Sequence, residues 1–130
     1  EVFGCGWANE DEVRAAIKTC YDADNYVIDP HTACGYHVME EVPAAADAKV
    51  RVLLSTASPY KFPRAVCEAL KLDVPDDDFD AMRVLENATG TKAPAQLAEL
   101  EHKPVRFTDV VDVADMGAYV EAAAKRMSSN

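Results

Sequence analysis

Apolar residues recur along this chain at two different periods, and the switches between them divide it into helices and extended stretches. Val13, Ala16, Ile17 and Cys20 fall at i, i+3, i+4 and i+7, which puts them on one face of a helix. Asn9 stands ahead of them as an N-cap, and Glu10, Asp11 and Glu12 make an acidic first turn. The spacing therefore predicts a helix over 10–22. Asn25 to Ile28 reads as a short extended link. Asp29 then caps a second helix that has Pro30 at its first position and runs to Glu41, ahead of Pro43.

Pro43 to Ala48 is rich in small residues and reads as a loop. From Lys49 to Ser55 the period changes: Val50, Val52, Leu53 and Leu54 form the dense apolar run expected of a buried strand, and it ends in Ser55 and Thr56. Phe62 to Leu70 is predicted as a third helix, with Pro63 tolerated in its first turn. Asp76, Asp77, Asp78 and Asp80 precede a helix to Ala88 and suit its positive end, so a cation site is not needed to explain them. A short helix is expected over 95–102, a strand over 105–111, and an amphipathic helix from Asp115 or Met116 to Met127, with a frayed tail over 128–130. The expected fold class is α/β, helices packed around a few strands, in one domain over 1–130.

Composition narrows the partners. At 130 residues and 49% hydrophobic, the chain can bury one core of ordinary size. A formal net charge of −10 repels phosphate backbones and anionic headgroups, so neither nucleic acid nor a membrane surface is an expected partner. Cys5, Cys20, Cys34 and Cys67 contain no Cys-x-x-Cys pair, and free thiols in a reducing cytoplasm are the simplest account. No apolar run reaches bilayer-spanning length. Glu1 to Trp7 reads as the middle of a chain, which suggests an excised domain.

Few constellations carry chemistry. Asp29, His31 and Thr32 place a carboxylate, an imidazole and a hydroxyl at one helix start; they read either as a phosphate or carboxylate site or as a cap with satisfied polar neighbours. Ser55, Thr56 and Ser58 read either as a hydroxyl cluster for a ligand or as the end of a strand. They lack the Gly-x-Ser-x-Gly elbow of a serine hydrolase. Lys61, in a stiff turn with Tyr60, Phe62 and Pro63, either contacts an anion or is solvated. His31, Cys34 and His37 drift around the helix and lack a fourth ligand, so no metal site is expected; Cys34 and Cys67 read as packing residues. The five glycines are scattered and form no phosphate loop.

Two segments carry a family resemblance. Asp29-Pro30-His31-Thr32-Ala33-x-Gly35 resembles the Asp-Pro-His-Thr-Ala segment of threonine synthases, and Ser55-Thr56-Ala57-x-Pro59-x-Lys61-Phe62-Pro63 resembles their Ser-Thr-Ala-His-Pro-Ala-Lys-Phe-Pro segment. Order and spacing match as well. Ser58 stands where many relatives have histidine and Tyr60 where many have alanine.

The resemblance implies the C-terminal part of a fold-type II enzyme, like the tryptophan synthase β-subunit, dependent on pyridoxal 5'-phosphate. Its implied reaction converts O-phosphohomoserine and water to threonine and phosphate, with the cofactor as electron sink. By the same resemblance Thr56 would meet the pyridine nitrogen with Ser55 in support, while Asp29, His31 and Thr32 shape the neighbouring wall and Lys61 attracts the substrate phosphate. No catalytic residue is assigned within this chain. The Schiff-base lysine and the cofactor's phosphate loop would come from the N-terminal part of the same enzyme, the expected partner in the cytoplasm, and the isolated chain is expected to be inactive. Two other readings stay open: a related phospho-lyase acting on another phosphorylated amino compound, and a standalone, non-catalytic binding module. The module predicts no large exposed apolar patch, whereas an excised segment exposes the face that packed on its other half.

Overall fold

A computed structural model describes residues 3–41 and 48–128, and among these all regular secondary structure is helical. The main helices are α1 (Glu10–Asp24), α2 (Pro30–Glu41), α3 (Pro63–Leu70), α4 (Asp78–Thr89), the single turn α5 (Ala95–Ala98) and α6 (Met116–Ser128). Short 3-10 turns occupy Pro59–Lys61, Glu99–His102 and Val113–Asp115. The loop expected over 43–48 and the tail after Ser128 lie largely outside the described residues.

Helices α1, α2 and α4 start where the sequence offers a capping side chain. Asn9 and Glu12 form a reciprocal capping box: Glu12 N–H donates to the Asn9 side chain at 3.0 Å, and Asn9 N–H donates to Glu12 Oε2 at 2.7 Å. Asp29 Oδ1 accepts from His31 N–H at 2.9 Å to open α2, and Asp77 Oδ1 accepts from Phe79 and Asp80 N–H at 2.8 and 3.0 Å to open α4. The acid-rich run before α4 is thus a helix start, with Asp80 also paired to Arg83 at 2.7 Å. Among the described residues no group of His, Cys, Asp and Glu could hold a metal ion.

The core is built from neighbours. α1 packs on α2 and on α3, and α3 packs on α4. Ile17, Val66, Cys67 and Leu85 are fully buried at the centre, joined by Ala16, Cys20, Ile28 and Ala33. Tyr60, placed where the family resemblance expects alanine, is also buried. Its hydroxyl bonds Thr91 Oγ1 at 2.7 Å, Thr91 lies 2.8 Å from Thr89 Oγ1, and Thr89 donates to Leu85 C=O at 2.7 Å. A chain of hydroxyls so ties the turn before α3 to the end of α4. Beyond α4, Glu86 accepts from Ala93 N–H and Lys92 Nζ, which holds its carboxyl below the usual carboxylate range.

The α/β expectation is overturned. Residues 51–56 and 104–112 form no regular secondary structure, neither pairs with a strand among the described residues, and the apolar side chains around them face solvent: Val50 and Val52 are 78% and 79% exposed, Val105 and Phe107 79% and 82%. Their apolar density does not by itself make a strand. It does not supply the ladder that makes a sheet, because backbone hydrogen bonds need a neighbouring strand and the neighbours here are helices. From Ala98 to Ser128 every residue is exposed except half-buried Ala123.

Burial separates the thiols. It pushes Cys20 and Cys67 above the usual thiol range, since charging a sulfur inside the core forfeits its hydration, while Cys5 is exposed. With iodoacetamide at pH 8, mass spectrometry of timed aliquots should show Cys5 modified at least about tenfold faster than Cys20 or Cys67. Raising the pH toward 9 should not close that gap. Equal rates in the native protein would contradict the packing of α1 on α2 and α3.

Candidate functional site

The site residues meet where the link after α1 enters α2. Val27 and Ile28 are buried and fix the chain's entry, so Asp29 arrives completely enclosed, with no exposed surface. A buried carboxylate must have its lone pairs filled. Asp29 fills them locally: Oδ1 takes His31 N–H and lies 3.1 Å from His31 Nδ1, and Oδ2 takes the hydroxyl of Thr32. Thr32 is itself buried at 4% exposure, and its Oγ1 lies 3.2 Å from Ser55 Oγ. A threonine hydroxyl has one proton to give, and here the carboxylate receives it.

This network joins the two sequence segments. Residues 51–55 run along α2 in the opposite direction. Arg51 Nη1 pairs with Glu40 at 2.8 Å and reaches Met39 C=O at 3.5 Å; Leu53 Cδ1 sits 2.8 Å from where a Cβ on Gly35 would be; Ser55 meets Thr32. Gly35 is needed for that approach: any side chain there displaces the end of Leu53.

Around the exposed end of the network stand two rings and a cation. His31, exposed, packs on Phe62 with ring centroids 5.0 Å apart and tilted 52°, and Lys61 Nζ lies 6.0 Å from the same ring. Asp29, His31, Thr32 and Ser55 are therefore in direct contact, and Lys61 joins through Phe62. Thr56 is exposed and makes none of these contacts. Phe62, not singled out by the sequence reading, is the residue that links His31 to Lys61; its position between Lys61 and Pro63 in a stiff turn was the available signal. Ser58 caps that turn, accepting from Tyr60 N–H at 3.3 Å. His37 lies 3.8 Å from Glu12 of α1.

Residues 32–120 match the family described as "Threonine synthase, C-terminal". The chain belongs to that family. It is 31% identical to human threonine synthase-like 1 over 100 residues, covering 76% of this chain and 13% of that protein, and the mouse protein of the same name matches to the same extent. It is 42% identical to the threonine synthase of Schizosaccharomyces pombe over 64 residues, or 48% of this chain and 12% of the yeast protein. The chain thus spans roughly an eighth of the length of the relatives it matches. The structure brings the 29–35 and 55–63 segments within hydrogen-bonding distance through Thr32 and Ser55. No described helix is long and apolar enough to cross a membrane.

Proposed function

We propose that this chain is the C-terminal part of a cytoplasmic threonine-synthase-type enzyme, which converts O-phosphohomoserine and water to threonine and phosphate with pyridoxal 5'-phosphate. The observation that carries the reading is the junction of Asp29, Thr32 and Ser55, because it builds one ledge from the two family segments. The donor chemistry fits the cofactor's pyridine edge. Ser55 and Thr56 offer exposed neutral hydroxyls, while the adjacent carboxylate, Asp29, is enclosed and already satisfied, so it is withheld from a ring nitrogen. When bound, the cofactor would supply the electron sink for the reaction.

The residues of this chain then bind and orient. Asp29 fixes Thr32, Thr32 sets the position of Ser55, and Ser55 with Thr56 would offer the cofactor's ring nitrogen an uncharged edge. His31 and Phe62 form the adjoining wall. Lys61, exposed beside Phe62, gives the substrate phosphate a positive charge to approach. The covalent lysine belongs to the partner half: Lys18, Lys92 and Lys103 here are exposed or half-exposed and paired with Asp22, Glu86 and Glu99. The longer match to the mammalian threonine synthase-like proteins supports a second reading, in which the same ledge serves a phospho-lyase acting on another phosphorylated amino compound.

The isolated chain should release no phosphate from O-phosphohomoserine above a protein-free blank when supplied with pyridoxal phosphate, and borohydride reduction should fix no cofactor on its lysines. Joined to a threonine synthase N-terminal part it should turn over, and Thr56→Val should then lower kcat/KM by about 10–100-fold, the worth of one hydrogen bond to a polar cofactor edge. Turnover by the chain alone would overturn the division of labour. An unchanged rate in Thr56→Val would remove Thr56 from the site.

A further inference from the structure

Asp29 and His31 form a buried carboxylate and an exposed imidazole in contact, Nδ1 lying 3.1 Å from Asp29 Oδ1. The other groups around the carboxylate are donors: Oδ1 accepts from the His31 N–H at 2.9 Å and Oδ2 from the Thr32 hydroxyl. Asp29 therefore acts as an acceptor only, and the proton between Nδ1 and Oδ1 sits on the ring. The neutral imidazole then carries its lone pair on Nε2. No hydrogen bond is made to His31 Nε2 among the described residues. The other two histidines are turned the opposite way. His37 Nε2 lies 3.8 Å from Glu12 and His102 Nε2 4.0 Å from Glu101, so in each the outward nitrogen faces a carboxylate.

Two contacts fix the direction of the open nitrogen. Asp29 is fully enclosed and holds one edge of the ring, and Phe62 packs on it at 5.0 Å between centroids. The side chain is nevertheless 65% exposed, so a small molecule can reach Nε2. An enclosed carboxylate that sets the tautomer and orientation of an accessible imidazole makes that imidazole a directed proton acceptor. The reaction assigned above consumes water, and a water that attacks carbon must give up a proton.

We propose that His31 is a catalytic residue: Nε2 accepts a proton from the water that the reaction consumes, and Asp29 is the positioning residue behind it. This rests on the functional reading above and adds to it a role that the family resemblance did not assign to any residue of this chain. In the step, an O–H bond of water breaks and an N–H bond forms at Nε2, while the oxygen keeps the electron pair and bonds the substrate carbon with it. The imidazolium so formed stands against the Asp29 carboxylate, and the exposed ring returns the proton to solvent. Phe62 holds the ring face, and Lys61 Nζ, 6.0 Å from the Phe62 ring, keeps a cation for the phosphate on a neighbouring side chain, so that binding charge and proton acceptor are separate groups.

The test has two parts. In the full 130-residue chain alone, long-range nitrogen–proton NMR of the histidine rings reads the tautomer of neutral His31. The expected form carries its proton on Nδ1 and none on Nε2; a proton on Nε2 would overturn the proposal without any enzyme being assembled. The chain is then joined to Schizosaccharomyces pombe threonine synthase ending just before its matching stretch, and phosphate release and threonine formation are followed with pyridoxal 5'-phosphate and O-phosphohomoserine. His31→Gln, on an exposed side chain, should leave the helical circular dichroism and the absorbance of the bound cofactor unchanged and lower kcat at least about 100-fold, with KM within about threefold. His31→Ala should lose as much and regain at least about tenfold on addition of free imidazole. A rise in KM at unchanged kcat, or a loss in His31→Ala that imidazole does not restore, would make His31 a wall residue and overturn its catalytic role. An unmodified joined enzyme that turns over while His31→Gln matches it removes this proposal alone; an unmodified joined enzyme that binds cofactor and does not turn over removes the functional reading, and this role with it.

Discussion

Asp29→Ala should lower the unfolding free energy by about 2–4 kcal/mol. The loss has two parts. The first turn of α2 loses the acceptor for His31 N–H, a capping contribution of about 1–2 kcal/mol. Thr32, buried at 4% exposure, is left with a hydroxyl whose carboxylate acceptor is gone, an unmet desolvation cost of about 1–3 kcal/mol. Removing the carboxylate also relieves the cost of burying a charge, which keeps the sum below the simple total. Asp29→Asn retains an oxygen at the cap and should cost about half as much. Urea unfolding followed by circular dichroism measures both. A cost under about 0.5 kcal/mol for Asp29→Ala would mean that the buried carboxylate does not hold α2 in place.

Ile17→Ala should cost about 3 kcal/mol, with a range of 2–5. Ile17 is 1% exposed on α1, the helix that packs on both α2 and α3, so the cavity opens where three helices meet and no single helix can move to fill it. Ile17→Val removes one methylene and should cost about 1 kcal/mol. The ratio of the two is the informative quantity, because propensity differences between these residues are only tenths of a kcal/mol. Comparable costs for both variants would show that the site collapses around the smaller side chain.

Most helix boundaries were legible because they depend on local chemistry. Asn9, Asp29 and Asp77 bond to amides two or three residues on, and Pro30 sits at a first helical position, so nearest neighbours decide the outcome. The closeness of Asp29, His31 and Thr32 was legible for the same reason, whereas the bond from the Thr32 hydroxyl to the Asp29 carboxylate was not. The strands over 49–55 and 105–111 were not. Apolar density there reports that side chains need cover, but it carries no information on which segment covers them, and pairing is a property of two segments. Tyr60 and Phe62 were missed because their roles are tertiary: one reaches Thr91 and the other His31, and nothing in the spacing links those positions.

The order of burial along the chain also sets an order in time. Every buried residue described falls between Ala16 and Leu85, and the helices that enclose them, α1 to α4, all lie in the first 89 residues. Helical packing of such local contacts takes microseconds to milliseconds, whereas synthesis at about 5–20 residues per second spends seconds on the stretch from Glu86 to Asn130. The core can close on the nascent chain as soon as Leu85 is free, presenting a finished helical face while the exposed C-terminal stretch is still emerging.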